Sequence, residues 1–191
     1  MGKEKGHIFV ISAPSGAGKT TIVKSILTDF PQLAFSISAT TRKKRDNETD
    51  GIDYHFITEK DFLGKIEKNE FVEWEKFYDY YYGTIKGFID EKIKDGISVL
   101  LEVDVKGALS IKAIYPDAIL VYIYPPSFEV LVERLKNRKT EDEKDFKKRV
   151  ERAKMELSQK DKFDYLVVNN DLNTAISETK SLINKIINKE N

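Results

Sequence analysis

An α/β fold is predicted for this chain of 191 residues: one domain, with a parallel sheet covered by helices on both faces. Three observations carry the prediction. Four short runs rich in β-branched residues are continuous rather than alternating, as strands buried on both faces are. Helical repeats lie between these runs. The alternation of the two has the spacing of βαβ units. The strand runs are "HIFVIS" from His7, "ISVLLEVD" from Ile97, "AILVYIY" from Ala118 and "DYLVVNN" from Asp164. One helix is marked by Ile22, Val23, Ile26 and Leu27, and a second by Phe128, Leu131, Val132 and Leu135. A third is marked by Leu172, Ala175, Ile176, Thr179, Leu182, Ile183 and Ile186. A sheet of this kind takes its ligands at the carboxyl ends of its strands.

Two segments break the rhythm. From about Ser36 to Gly87 the chain is dense in Tyr, Phe and turn residues, as in "NETDGIDYHF" and "FYDYYYGT". Its short alternating pieces predict an inserted, mostly β lobe with one helix near Phe62 to Ile66. The second segment, "NRKTEDEKDFKKRVERAKMELSQ", is charged at most positions and has a thin apolar stripe of Phe146, Val150, Ala153 and Leu157. By itself it reads as a solvated helix.

Composition narrows the function. Lys+Arg 32 offsets Asp+Glu 32, so no overall positive field draws the chain onto nucleic acid or an anionic membrane. Any affinity for phosphate is therefore local. The absence of cysteine removes disulfides, thiolate nucleophiles and cysteine-ligated zinc. His7 and His55 are isolated, which argues against a histidine metal site. The first apolar run is too short for the core of a signal peptide, and no stretch approaches membrane-spanning length. A cytoplasmic protein is the expectation.

The first strand runs into "APSGAGKTT" and then into an amphipathic helix, the context of a phosphate-binding loop. Its glycines let several N–H groups turn toward one anion, and the helix that follows presents the positive end of its dipole there. Ser15, Gly16, Ala17, Gly18, Lys19, Thr20 and Thr21 form the expected donor-nucleotide site, with Lys19 on the β- and γ-phosphates and the Thr20 hydroxyl on Mg²⁺. Ala13 stands where the strict pattern has its first glycine, a change that costs little if its φ is negative. The acidic partner of such a loop ends a second strand. In "VLLEVD", Glu102 and Asp104 are two apart and on one strand face.

Taken with the loop, "SISATTRKKRDNETDGIDYHF" and "NEFVEWEKFYDYYYGT" resemble the guanylate kinase family, P-loop enzymes that move a phosphoryl group from ATP to GMP. The resemblance runs over nearly the whole chain. It implies a three-layer core (1–35, 88–136 and 160–191), a GMP-binding lobe (36–87) and a helical lid (137–159). It also implies that Arg42 and Arg45 grip the acceptor phosphate together with Tyr54 and Tyr82, and that Ser38, Glu73 and Thr84 read the guanine. Asp104 falls at the acceptor nucleoside and Glu102 near the metal. Arg138 and Arg149 close over ATP, and Asn170 and Asp171 lie at the adenine. Lys19, Arg42, Arg138 and Arg149 are the implied catalytic set, ATP with Mg²⁺ the implied donor and cofactor, and GMP or dGMP the acceptor. Oligomeric state is left open. Lys44 and Lys139 stand where the family often has proline and glycine.

The chemistry of guanine fits Glu73 independently. Its N1–H and 2-amino donors lie side by side, and one carboxylate accepts both. Adenine lacks the pair and would leave that carboxylate without partners. Two other readings stand beside this one: a guanylate-kinase-like module that binds peptides without chemistry, and a P-loop kinase or hydrolase for another substrate. Lys19, Thr20 and the two arginines argue for catalysis.

Overall fold

The computed structural model describes residues 6–77, 79–137 and 143–188. Its central sheet is fully parallel, with strand order β2-β7-β1-β8-β9. These strands are β1 (Ile8–Ser12), β2 (Ala34–Ser36), β7 (Val99–Val103), β8 (Ile119–Tyr124) and β9 (Tyr165–Val168). Residues of β1 are buried throughout, as expected of a central strand with helices above and below.

One face of the sheet packs on α1 (Lys19–Asp29), α5 (Phe128–Lys136), α6 (Glu143–Leu157) and α7 (Leu172–Ile187) through Phe9, Ile11, Ile22, Ile26, Leu131, Ala153 and Ile183. The other face packs on α3 (Lys86–Lys94) and α4 (Val105–Ile114) through Val10, Ile89, Leu101, Ala108, Ile111 and Tyr122. The three layers follow from the continuous apolar runs. The four predicted strands and three predicted helices are all present. The strand β2 and the helices α3 and α4 complete the core.

The inserted lobe is a second sheet of order β4-β3-β6-β5, made of β3 (Ala39–Thr40), β4 (His55–Phe56), β5 (Phe71–Phe77) and β6 (Tyr80–Ile85). The helix α2 (Glu59–Glu67) covers it. It starts where the Thr58 side chain accepts the Asp61 N–H, with Glu59 and Asp61 in the first turn favouring its dipole. The lobe has its own small core of Ala39, Phe62 and Phe71, with the Phe62 and Phe71 rings stacked at 4.4 Å. A Cβ on Gly83 would lie 2.9 Å from the Phe71 ring, so that close packing requires glycine. Among the described residues no helix is long and apolar enough to cross a membrane.

Candidate active site

The cleft lies where the sheet theory of ligand placement puts it, beyond the carboxyl ends of β1 and β7. It encloses about 390 Å³, with the loop after β1 on one wall and the inserted lobe on the other. Residues 13–18 leave β1 and enter α1 through two left-handed glycines, Gly16 and Gly18, each at φ 90°. Asn69 is the one non-glycine residue with positive φ among the described residues, so Ala13 keeps an ordinary backbone and its missing glycine needs no compensation. Gly18 is constrained twice, since a Cβ there would also lie 2.5 Å from the Asn169 Nδ2. That nitrogen donates to the Ala17 carbonyl at 2.7 Å.

Parallel pairing of β1 with β7 sets Ile11 opposite Glu102 and brings the Glu102 carboxylate beside the loop. Its Oε1 accepts the Lys19 ammonium at 3.1 Å and the Thr20 hydroxyl at 2.6 Å. The two groups expected to meet phosphate and metal therefore converge on one carboxylate oxygen. Asp104 departs from the reading of two carboxylates on one strand face. The strand ends at Val103, and Asp104 caps α4, its Oδ1 accepting the Gly107 N–H at 2.7 Å. Glu102 and Asp104 thus acquire different cations, Lys19 for the first and Arg152 for the second.

On the facing wall, β5 and β6 pair Glu73 with Thr84. The Thr84 hydroxyl, 1% exposed, donates to Glu73 Oε1 at 2.5 Å. Burial pushes the Glu73 carboxyl up to about 7; the Thr84 hydrogen bond opposes this, and the charges of Asp104 and Glu75 reinforce it. A Cβ on Gly107 would sit 2.9 Å from Glu73 Oε2, so the start of α4 forms the floor on which this carboxylate rests. Ser38, Tyr54 and Tyr82 line the same wall. The Tyr54 and Tyr82 rings meet edge to face at 6.2 Å. Burial raises the Tyr54 hydroxyl above its usual range and so keeps it a donor.

Arg42 lies over the Tyr54 ring at 5.3 Å and forks onto Glu48, both hydrogen bonds at 2.8 Å. The fork holds the Glu48 carboxyl down at about 2. Glu48 also accepts the Arg45 N–H at 2.8 Å, so one carboxylate ties together the segment that carries both arginines. The Arg45 side chain is exposed. Lys44, in the place of the family's frequent proline, donates to the Glu48 carbonyl at 3.0 Å.

The structure brings Ser15, Gly16, Ala17, Gly18, Lys19, Thr20, Thr21, Ser38, Tyr54, Glu73, Tyr82, Glu102, Asp104 and Arg149 to one cleft. Arg42, Arg45 and Thr84 are not among the residues that line it, although Thr84 is bonded to Glu73, which does. Asn170 and Asp171 are exposed past the end of β9, and Asp171 caps α7 by accepting the Thr174 N–H at 2.8 Å. Arg138, and with it Lys139, lies outside the described residues. Sequence reasoning missed Glu48, Glu75, Gly107, Arg152, Glu156 and Asn169. Of these, Asn169 was within reach, because a polar residue that follows an apolar run and is itself buried needs a partner.

Known proteins resemble this chain in sequence and in fold. The guanylate kinase family profile matches residues 5–186. The chain is 46% identical over 179 residues to the guanylate kinase of Thermotoga maritima, covering 94% of this chain and 86% of the other. Against the guanylate kinase of Mycoplasma genitalium the identity is 46% over 181 residues, with 94% and 75% covered. The crystal structure of guanylate kinase from Anaplasma phagocytophilum matches with a TM-score of 0.76 and 29% identity, over 100% of this chain and 88% of that one.

Proposed function

Because this chain belongs to the guanylate kinase family, we propose that its cleft transfers the γ-phosphoryl group of ATP to GMP, giving ADP and GDP. One observation supports this reading above the others. A phosphate loop with Lys19 and Thr20 joined on Glu102 faces, across one cleft, a buried carboxylate suited to guanine.

The acceptor supplies its own nucleophile. A phosphate oxygen of GMP is already largely ionised at neutral pH, its second pKa being about 6, so no side chain has to take a proton from it. That oxygen bonds to the γ-phosphorus as the bond to the β,γ-bridging oxygen breaks, and the electron pair leaves with ADP. The protein's part is to hold two polyanions in line and to offset the charge that spreads over the transferred group. Lys19 and the phosphate loop hold the donor phosphates. Arg42 and Arg45 hold the acceptor phosphate, Tyr54 and Tyr82 donate hydroxyls to it, and Glu73 orients the base. Arg138 and Arg149 cover the donor.

Magnesium suits the donor set. Thr20 and Glu102 offer a hydroxyl and a carboxylate oxygen 2.6 Å apart, and Mg²⁺ typically takes one or two protein oxygens with the rest from phosphate and water. Bound there, it would screen the β- and γ-phosphate charge.

The test is release of ADP from ATP and Mg²⁺ with GMP, dGMP, AMP, UMP or no acceptor. Turnover with GMP well above AMP and above the acceptor-free rate is expected. Equal rates with and without acceptor would make the protein a hydrolase.

A further inference from the structure

Arg152 lines the cleft and donates to three carboxylates, and the phosphotransfer reading gives it no part. It lies on α6 one turn after Arg149, and the two share a helix face and line the same cavity. Its Nη2 donates to Glu75 Oε2 at 2.7 Å and to Asp104 Oδ2 at 2.5 Å, while its Nε donates to Glu156 Oε1 at 2.9 Å. The guanidinium also lies 4.6 Å from the centre of the Phe77 ring. These partners belong to different parts of the molecule. Glu75 is on β5 of the inserted lobe, Asp104 caps α4 in the core, and Glu156 is on α6 itself. Glu156 is buried and accepts the Ser15 N–H of the phosphate loop at 3.4 Å.

We infer that Arg152 is a positioning residue for the phosphotransfer: it fastens the lid helix to the acceptor wall through Glu75 and Asp104, and thereby sets where Arg149 and Glu73 stand across the cleft. The inference rests on the phosphotransfer reading and names a residue that this reading does not include. Three features carry it. First, Glu73 and Glu75 are two apart on one strand, so their side chains share a face, and a hold on Glu75 is a hold on the strand that carries the base reader. Second, Asp104 has one oxygen on the Gly107 N–H and the other on Arg152. Its position, and that of the helix start beneath Glu73, is fixed from both sides. Third, one cation faces three carboxylates. Without it, Glu75, Asp104 and Glu156 repel one another and the three elements move apart.

The geometry requires arginine. A planar guanidinium reaches carboxylates on different sides through different nitrogens, while the compact ammonium of lysine acts as a point charge. Burial works against the charge of Arg152, and its hydrogen bonds to Glu156 and Glu75 outweigh that, holding its pKa above the usual range. It therefore stays charged through any pH at which the protein folds.

The experiment uses the whole chain with ATP, GMP and Mg²⁺, comparing R152A, R152K, E75Q and R152A/E75Q with the unsubstituted protein. Misplacing reacting groups by about 1 Å costs on the order of 10²-fold, so R152A should lower kcat/KM for GMP about 30- to 100-fold. E75Q, which leaves Arg152 its other two partners, should lower it about 5- to 10-fold, with KM for ATP within about twofold. R152K should recover a part of the loss. The double variant should be no worse than R152A, since both act through one contact. Backbone hydrogen exchange gives a readout without turnover: E75Q, on a strand, should speed exchange in residues 143–157. If R152A does not fold, E75Q carries the test by both readouts. An unsubstituted protein inactive with GMP overturns the phosphotransfer reading. An active one whose E75Q and R152A variants keep kcat/KM within twofold, or whose losses simply multiply in the double variant, overturns this inference alone.

Discussion

Replacing Glu73 by glutamine isolates the group that is to read the base. The Thr84 hydroxyl donates to Oε1, so the carbonyl oxygen of the new amide keeps that side and its NH₂ takes the place of Oε2. An NH₂ group there meets guanine donors head on. One charge-assisted hydrogen bond is lost and its neighbour loses its charge, and such bonds contribute about 1.5–3 kcal/mol each. A loss of about 3 kcal/mol is roughly 100-fold in kcat/KM for GMP. AMP, which lacks those donors, should gain or stay level, so the GMP to AMP ratio is the quantity to measure, by ADP release.

The pH dependence sharpens the test. With its carboxyl at about 7 in the free protein, Glu73 is increasingly protonated below neutrality, and kcat/KM for GMP should rise with pH through about 7. Glutamine at this position should abolish that inflection and leave the ionisation of the GMP phosphate, at about 6. Stability should run the other way. The folded state holds the proton more tightly than the unfolded chain, whose carboxyl keeps its ordinary 4.5. The contribution is therefore complete below about 4.5 and is lost as pH rises through about 7. In the absence of nucleotide, Tm should fall between pH 5 and 8 by more in the native sequence than in the variant. An unchanged GMP to AMP ratio, or an inflection that survives the substitution, would refute the base-reading role.

Lys19→Ala should lower kcat about 10²- to 10³-fold, the usual loss for a donor aimed at developing charge, while circular dichroism stays that of the folded protein. Gly107→Ala has no positive φ to violate and improves helix propensity, but its Cβ would press on Glu73 Oε2 at 2.9 Å; GMP kcat/KM should fall about tenfold with Tm unchanged or raised. Gly18→Ala combines φ +90° with a 2.5 Å approach to Asn169, so Tm should drop and ATP binding weaken, both measurable by thermal shift with and without ATP. Glu48→Gln should loosen the fork on Arg42 and raise KM for GMP several-fold, while KM for ATP stays level.

Much of the core was legible because burial on both faces writes itself as uninterrupted Val, Ile and Leu. Where that condition weakens, so does the reading. The strand β2 has three residues, Ala34–Ser36, at the sheet edge, too few for a period to appear. The helix α4 follows "VLLEVD" directly, so its own apolar face looks like more strand, with Gly107 in its first turn as a further disguise. Asp104, which the sequence offers as a strand carboxylate, is in the structure the N-cap of this helix. The phosphate loop was readable because all its parts are contiguous. Arg152 was not: in "KKRVERAKMEL" it is one basic residue among several, and two of its three carboxylates, Glu75 and Asp104, are distant in sequence and distinguish it only once the chain has folded.

The tie between Asn169 and Ala17 joins residues 152 apart along the chain. During synthesis the glycine turn is made long before the side chain that braces it. Nucleotide capture should accordingly switch on late, when the final strand docks, and a fragment stopping short of that strand would retain the motif without the grip.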